Sequence, residues 1–344
     1  MLPKQTRTRY ILSSSPHAHA PGSVSGIMLD VIVALLPALC CAVHFFGWRA
    51  LLLTGTCIAS CLVTEACCRL AMKRENTVGD LSAVLTGLLL AFNLPPDLPL
   101  WMAVVGGVFA IGVAKQVFGG LGYNPFNPAL AARAFMLVSF SEAMTAWSSN
   151  GLWKAAAGYA AGDAVTTATP LQYLKSVGTA AWAKLPAADQ ALDFGSVSFL
   201  KAAFFGNVNG CLGEVCALAL LLGAAYLLVR RVITWHIPVA FIGTVAAFAF
   251  FRYGMDLSAL KLAEAHVLSG GVVLGACFMA TDYVTSPATA KGKLVFGCGC
   301  GLVTMLIRTH GAFPEGVSFA ILILNAFTPL ISRFTQPKPF GARR

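Results

Sequence analysis

The sequence predicts an all-α, polytopic integral membrane protein, and two observations carry this prediction. Hydrophobic residues make up 57% of the 344 residues and charged residues only 11%, whereas roughly a quarter of the residues in a soluble domain are charged. A helix needs about 20 apolar residues to cross the hydrocarbon core of a bilayer. Apolar stretches of about this length recur along the whole chain, so we expect several membrane-spanning helices.

We expect about ten transmembrane helices, with nine as the alternative count. The third and fifth spans are short, and we expect them to be tilted, broken or half helices. The predicted spans are 27–47, 51–71, 80–94, 99–118, 126–141, 207–229, 232–251, 266–283, 293–310 and 315–332.

The spans divide into two halves that share a sequence pattern. Residues 94–120 and 284–311 each contain proline, a glycine-rich span and one basic residue near its end, Lys115 or Arg308. Five spans in each half would place the halves in opposite orientations, so we expect two pseudo-symmetric, inverted halves. The predicted regions are an N-terminal tail (1–25), the first half (26–141), a connecting loop (142–206), the second half (207–332) and a C-terminal tail (333–344).

The net charge of +10 is explained by membrane topology. Most lysines and arginines fall in segments that a ten-span arrangement places on one side of the membrane, and an excess of basic residues marks the cytoplasmic side. We therefore expect both termini in the cytoplasm and residues 142–206 on the opposite side. No basic patch interleaved with aromatic residues is present, so we expect membrane lipid as a partner and no nucleic acid.

Ionisable residues within spans are candidates for ion coupling, because a charge at membrane depth is costly and is usually kept for a pathway, a pair or a site. Asp282 is the most suggestive, since it precedes a Thr-Ser-Pro break where free carbonyls could join it around a cation. Interhelical pairing or an interfacial position is the alternative. The other such residues are Asp30, Glu65, Asp80, Lys115, Arg133 and Glu214.

We predict no metal centre. The eleven cysteines all lie in or at the ends of apolar spans, where cysteine serves as a small interior residue. An iron–sulfur cluster would require four convergent thiolates.

The stretch "GDAVTTATPL" in the connecting loop holds three threonines within four positions. Pro170 favours an extended backbone at Thr169. Threonines clustered in a loop commonly serve turn formation, and Asp163 could cap a short helix. The alternative is that a threonine hydroxyl accepts a phosphate group and forms a phosphoester.

Asp163, Thr166, Ala168 and Thr169 resemble the flavinylation motif Asp-x-x-Ser/Thr-x-Ala-Thr. In that motif a flavin transferase esterifies the last threonine with the phosphate of FMN. The resemblance implies a covalent FMN at Thr169. Thr167 stands where the motif often carries glycine.

The resemblance extends to most of the chain. Five stretches resemble the family of D subunits of the Rnf complex. This family is related to the B subunits of the sodium-pumping NADH:quinone reductase, and together they form the NqrB/RnfD family. The stretches are "MLDVIVALLPALCCAVHFFG", "GGLGYNPFNPALAARAF", "DAVTTATPL", "GACFMATDYVTSP" and "IRTHGAFPEGVSFAILILNAFTPLI".

The resemblance implies an electron-transfer subunit of a bacterial cytoplasmic-membrane complex that is not catalytically self-sufficient. Such a complex couples electron flow between ferredoxin and NAD+ to Na+ or H+ translocation. The implied partners are the A, B, C, E and G subunits of the Rnf complex and a flavin transferase, and the implied cofactors are covalent FMN and riboflavin. A B-type component of the quinone reductase is one alternative, although chain length and "ATPL" argue against it. A channel or secondary transporter is the other, but it leaves the threonine motif unexplained.

Asn124 and Asn127 are the candidates for holding the second flavin. Each precedes a proline, and Pro128 can begin a helix with Asn127 as its N-cap. Plain capping is therefore one interpretation. The other is that the amide groups, which both donate and accept hydrogen bonds, hold the edge of a flavin.

Overall fold

The structure is a computed structural model, and it describes residues 23–75, 77–146, 171, 174–175, 197–206, 210–311 and 315–337. In this part of the chain every regular element is a helix. The first half contains α1 (Val24–Phe46), α2 (Trp48–Ala71), α3 (Ser82–Phe92), α4 (Leu100–Gln116) and α5 (Pro128–Ser139). Two short helices, α6 (Ser141–Thr145) and α7 (Val197–Phe205), lie between the two halves in the order of the chain. The second half contains α8 (Ala217–Val229), α9 (His236–Arg252), α10 (Leu257–Leu268), α11 (Val272–Met279), α12 (Ala290–His310) and α13 (Val317–Thr335).

The apolar helices confirm an all-α polytopic membrane protein. Four helices are each long and apolar enough to cross a membrane, namely α1, α2, α12 and α13. Helices α10 and α11 are long and apolar enough when taken together, and the 64° bend between them is that of a broken span or a re-entrant loop. The shorter apolar helices are α3, α4, α5, α8 and α9. Within the described residues, each of the ten predicted spans therefore contains an apolar helix.

Two predicted spans have different boundaries in the structure. In the described part of the predicted span 207–229, the helix begins at Ala217, and residues 210–216 are buried without forming a helix. These residues pair instead with the end of α3, where Gly213 N donates to Phe92 O at 2.9 Å. A side chain could not fit there, because a Cβ on Gly213 would lie 2.6 Å from the Cβ of Phe92.

The predicted span 266–283 is broken at 269–271. Gly270 has a φ of +60° at the break, a conformation that glycine adopts at little steric cost. The preceding helix, α10, carries Lys261, Glu264 and His266. Because of these polar residues, its sequence does not stand out as an apolar stretch.

The two halves repeat one packing pattern. Helix α2 packs against α3 and α4, and α9 correspondingly packs against α10 and α12. The halves meet where α1 contacts α8 and where α5 contacts α13. Lys115 and Arg308, which the sequence pattern pairs, are both buried, with exposed fractions of 1% and 2%. This repetition agrees with two pseudo-symmetric halves, while their inverted orientation stays a prediction.

Two helical segments depart from α geometry. The last eight residues of α4, Phe109–Gln116, and the last five of α11, Gly275–Met279, are π-helical. Such segments are rare and occur frequently at functional sites. Both lie beside the cavity described below, which α4 lines with Lys115 and α11 with Phe278.

Candidate functional site

A cavity lies between the two halves and contains about 770 Å³ of empty space, including space open to the surroundings. Its apolar wall comes from α1, α3, α8 and α11 and includes Ile27, Val31, Leu85, Leu89, Leu227 and Phe278. Its polar groups are Ser82, Thr86, Lys115, Asn124, Asn127, Thr281 and Asp282. Mostly apolar walls with a few convergent polar groups are typical of cofactor sites.

Asn127 caps α5 from the cavity wall. Its Oδ1 accepts hydrogen bonds from Ala129 N at 3.1 Å and Leu130 N at 3.4 Å, and its Nδ2 donates to Met279 O at 3.3 Å. The capping interpretation is therefore seen in the structure, with Pro128 as the first helical residue. A flavin contact at Asn127 stays a prediction, and both polar atoms of this side chain already have partners.

Asn124 is also buried on the cavity wall and is less engaged than Asn127. Its Nδ2 donates to Phe126 O at 2.9 Å, and within the described residues its Oδ1 makes no hydrogen bond. Gly119, Gly120 and Gly122 precede it with φ values of 120°, 102° and 92°. These left-handed conformations bend the chain so that Asn124 reaches the cavity, and they require glycine.

Lys115 brings a charge to the cavity wall, and a carboxylate neutralises it. Its Nζ lies 3.0 Å from both carboxylate oxygens of Glu65 and donates to Ser82 Oγ at 2.6 Å. Gln116 Nε2 and Thr77 Oγ1 each donate to Glu65 Oε1 at 3.0 Å. The π-helical end of α4 places Lys115 and Gln116 together on the same carboxylate. The buried charges are thus paired and hydrogen-bonded, as burial requires.

Asp282 lines the cavity but is held by its own turn. Its Oδ2 accepts from Thr285 Oγ1 at 3.1 Å and its Oδ1 from Val284 N at 3.5 Å. Among the described residues it forms no ion pair, so interhelical pairing is not what the structure shows. Its role in ion coupling stays a prediction.

A second polar centre lies around Arg133 of α5. Its guanidinium forms ion pairs with Glu214, at 3.7 Å, and with Glu315. It also donates to Asn93 Oδ1 at 2.7 Å and to Cys211 Sγ at 3.6 Å. The sequence singles out Arg133 and Glu214 separately. It does not show that they converge, and it gives no signal for Glu315, which lies before α13.

Arg308 holds the break between α10 and α11. Its Nη1 donates to His266 O at 2.6 Å, and its Nη2 donates to Ser269 O at 3.0 Å and Gly270 O at 3.1 Å. A cation at the C-terminal end of a helix satisfies carbonyls that have no partner within the helix. The sequence identifies Arg308 only as the counterpart of Lys115.

The threonine motif, with Asp163, Thr166, Ala168 and Thr169, lies outside the described residues. The next described residue along the chain is Leu171, which is buried. Leu174 is also buried, and its carbonyl accepts a hydrogen bond from Tyr253 Oη at 3.4 Å. Lys175 donates to Gly311 O. The residues shortly after the motif are thus fixed against the C-terminal ends of α9 and α12.

Comparison with known proteins gives the family. A family model described as the NQR2, RnfD, RnfE family matches residues 11–341. The chain belongs to this family. Its membership confirms the resemblance seen in the sequence, and the match runs through both membrane halves and the loop between them.

Members of the family with high similarity cover nearly the full chain. The D subunit of the Na(+)-translocating ferredoxin:NAD(+) oxidoreductase complex of Acetobacterium woodii is 47% identical over 335 residues, which is 97% of this chain and 96% of the relative. The D subunit of the proton-translocating ferredoxin:NAD(+) oxidoreductase complex of Clostridium ljungdahlii is 45% identical over 97% of both chains. The D subunit of the ion-translocating oxidoreductase complex of Halorhodospira halophila is 38% identical over 97% of this chain and 96% of the relative.

Proposed function

We propose that this chain is the membrane electron-transfer subunit of an Rnf-type complex that couples electron flow between ferredoxin and NAD+ to ion translocation. The observation that carries the proposal is the 47% and 45% identity, over 97% of the chain, to two proteins named as the D subunits of such complexes. One of those names specifies Na+ and the other protons, so the proposal includes either ion. Reactions with ferredoxin and NAD+ belong to partner proteins, for which the family suggests the A, B, C, E and G subunits.

The proposal places the subunit in the bacterial cytoplasmic membrane with both termini in the cytoplasm. The distribution of lysine and arginine supports this orientation. Residues 142–206, which contain the threonine motif, would then face the opposite side.

Thr169 is the proposed attachment site of FMN, through a phosphoester formed by its hydroxyl. Asp163, Thr166 and Ala168 would be read by the flavin transferase. The motif carries this assignment, and the fixed position of Leu171 and Leu174 supports it, because a covalently attached group is then tethered close to an ordered part of the protein. When bound, a flavin accepts and releases electrons one or two at a time.

The cavity between the halves is the proposed site of a second, non-covalent flavin, riboflavin. Its apolar wall suits the faces of an aromatic ring system, and its polar groups suit the ring edge. Asn124 is the better placed of the two asparagines, because its Oδ1 is open, whereas Asn127 is engaged in capping α5. Lys115 would contribute no free donor, because its three N–H groups already bind Glu65 and Ser82.

In-gel ultraviolet fluorescence of the denatured protein tests the covalent flavin, since only a covalent flavin survives denaturation. The protein is expressed with and without the flavin transferase. Thr169→Ala removes the oxygen that forms the bond and should abolish the fluorescent band. Thr169→Ser keeps an oxygen and should retain part of the band, and Thr167→Ala is the matched control that should retain it in full.

A fluorescent band that persists in Thr169→Ala would contradict attachment at this threonine. If the band then disappears in Thr166→Ala or Thr167→Ala, the attachment site has been assigned wrongly within a correct flavoprotein assignment. If no band appears in the wild-type protein when the transferase is present, the covalent flavin itself is refuted.

The second flavin is tested by extraction. Purified Asn124→Leu protein should contain about one extractable flavin per chain fewer than the wild-type protein, because the open acceptor is lost. Its covalent flavin should stay. Asn127→Asp is the matched variant at the second asparagine. Aspartate preserves the N-cap but lacks the amide donor, so this variant separates flavin binding by the donor from capping of α5. An unchanged extractable flavin content in Asn124→Leu would return this residue to a purely structural role.

A further inference from the structure

A buried cluster of charges outside the cavity is the strongest unassigned feature of the molecule. It forms where the end of α3, the buried segment 210–216 and the start of α13 meet, with Arg133 reaching in from α5. Convergent breaks of this kind form ion sites in membrane transporters. The cluster brings together two carboxylates, Glu214 and Glu315.

The charges of the cluster do not balance at short range. Within 4 Å, Arg133 is the cation that contacts Glu214 and Glu315 in the described part of the chain, so one positive charge faces two negative charges. Carboxylate oxygens of the two glutamates and the Cys211 sulfur lie within 4.8 Å of one another. Two carboxylates at this separation in a buried site do not both ionise readily, and such pairs share a proton.

In the described part of the chain, one oxygen of Glu214 lacks a hydrogen bond, although it lies within ion-pair distance of Arg133 Nη2, at 3.7 Å. Glu214 is 8% exposed, and its Oε1 is buried without a hydrogen bond among the described residues. The backbone crowds it, because a Cβ on Gly271 would lie 3.1 Å from this oxygen. A buried carboxylate oxygen without a donor costs free energy, and a proton bound at this oxygen lowers that cost by neutralising the buried charge.

A metal ion fits this centre poorly. The Cys211 sulfur and the two carboxylates are potential ligands, but the Arg133 guanidinium already contacts all three residues. A divalent cation placed among them would be repelled by that guanidinium at short distance. A proton adds positive charge without requiring Arg133 to leave.

Arg308 is a second buried cation that acts on Glu214. Its guanidinium is bound to the carbonyls of His266, Ser269 and Gly270, and it interacts electrostatically with Glu214 and Tyr253. His266 faces Tyr253, with Nε2 and Oη 3.1 Å apart, and completes the titratable groups around Arg308.

We propose that Glu214 and Glu315 form a proton-exchanging carboxylate pair with Arg133 as its fixed counter-ion. In the protonated state one proton is bound at Glu214 Oε1 and the pair carries a single negative charge. In the deprotonated state both carboxylates are ionised, and Arg133 and Arg308 together balance them. The step involves no electron transfer.

The pair is connected to the cavity through polar contacts. Arg133 Nη1 donates to Asn93 Oδ1 at 2.7 Å, and Asn93 Nδ2 contacts Met279 Sδ at 3.6 Å. Met279 O accepts from Asn127 Nδ2, on the cavity wall, at 3.3 Å. Met279 therefore contacts the polar groups around Arg133 through its sulfur and the cavity wall through its carbonyl. Any link between these contacts and electron transfer rests on the proposed function, whereas protonation of the pair does not.

Infrared difference spectroscopy of the full-length chain, purified in detergent with its accompanying subunits, tests the proposal. The wild-type protein should show the C=O band of a protonated carboxyl group that disappears as the pH is raised. Glu214→Gln and Glu315→Gln should each remove this band. Glu142→Gln, an exposed acidic position near the end of α5, is the matched control and should leave the band intact.

Persistence of the band in both Glu214→Gln and Glu315→Gln would overturn the proposal, as would a band that responds to sodium concentration and not to pH. If Glu214→Gln fails to fold, Glu315→Asp provides the second test. It keeps a carboxyl group and should shift the band without removing it, and an unshifted band counts against the pair. Recording the band with and without the flavin transferase separates this result from the flavin assignment.

Discussion

Lys115 in the first half of the molecule and Arg308 in the second are buried cations at corresponding positions of the repeat, and the two halves neutralise them differently. In the first half Lys115 meets both oxygens of Glu65 at 3.0 Å. In the second half Arg308 donates to three backbone carbonyls, the longest bond being 3.1 Å. Within the described residues Arg308 has no carboxylate within 4 Å.

The difference follows from the backbone around each cation. The ammonium of lysine is a compact charge that one carboxylate can neutralise, whereas the planar guanidinium of arginine presents several donors in a fixed fork. The break after α10 offers three carbonyls close together, which matches that fork. The first half thus contains a closed ion pair, and the second half retains a positive charge that acts on its surroundings.

Breaking the ion pair of the first half should have the largest effect on stability. Glu65→Gln leaves Lys115 buried without its counter-ion, and the expected loss is about 3–5 kcal/mol of unfolding free energy. Thermal unfolding of the purified protein in detergent measures this loss. Glu65→Gln combined with Lys115→Met should recover part of it, because the unpaired charge is gone.

The matched control for this change is Glu142→Gln, at an exposed position. It should leave the unfolding temperature close to that of the wild-type protein. Equal destabilisation by Glu65→Gln and Glu142→Gln would contradict the assignment of Lys115 and Glu65 as a tight buried pair.

Changing the cation of the second half should have a smaller effect. Arg308→Lys keeps the charge but loses the fork, so at least one of the three carbonyls is left without its donor. We expect a loss of about 1–3 kcal/mol, the cost of an unsatisfied buried acceptor. The same thermal unfolding assay measures it, with Arg252→Lys, exposed at the end of α9, as the control. An unfolding temperature unchanged from that of the wild-type protein would show that the carbonyls are not what holds Arg308.

The smallest effect is expected at an ion pair near the surface. Arg230 Nη2 lies 3.1 Å from Asp30 Oδ2, but the arginine side chain is 56% exposed. Water and salt screen such a pair. Arg230→Ala should change the unfolding temperature less than either buried substitution, and added salt should abolish the difference. A loss comparable to that of Arg308→Lys would mean that α1 and α8 depend on this contact.

Much of the fold could be predicted from the sequence because membrane spans are marked by length and hydrophobicity. The spans around α3 and α5 are predicted to be short, and the structure confirms Ser82–Phe92 and Pro128–Ser139 as helices of less than spanning length. The cap at Asn127 is also readable, since Pro128 and the preceding amide form a local signal.

Features that depend on contacts distant in sequence could not be predicted. The buried, non-helical course of residues 210–216 depends on pairing with the end of α3. The convergence of Arg133, Glu214 and Glu315 depends on three separate elements meeting. The π-helical end of α4 is equally hidden, because its residues are as apolar as those of an ordinary span.

The mass of one peptide tests the central claim, that this membrane subunit carries electrons on a flavin bound to Thr169, most directly. Trypsin should release residues 155–175, which follow Lys154, end at Lys175 and contain no other basic residue. In protein expressed with the flavin transferase, this peptide should exceed its sequence mass by one FMN less one water, with the fragment ions placing the adduct on Thr169. A peptide of unmodified mass in the presence of the transferase would contradict the account, and the threonines would then be turn residues.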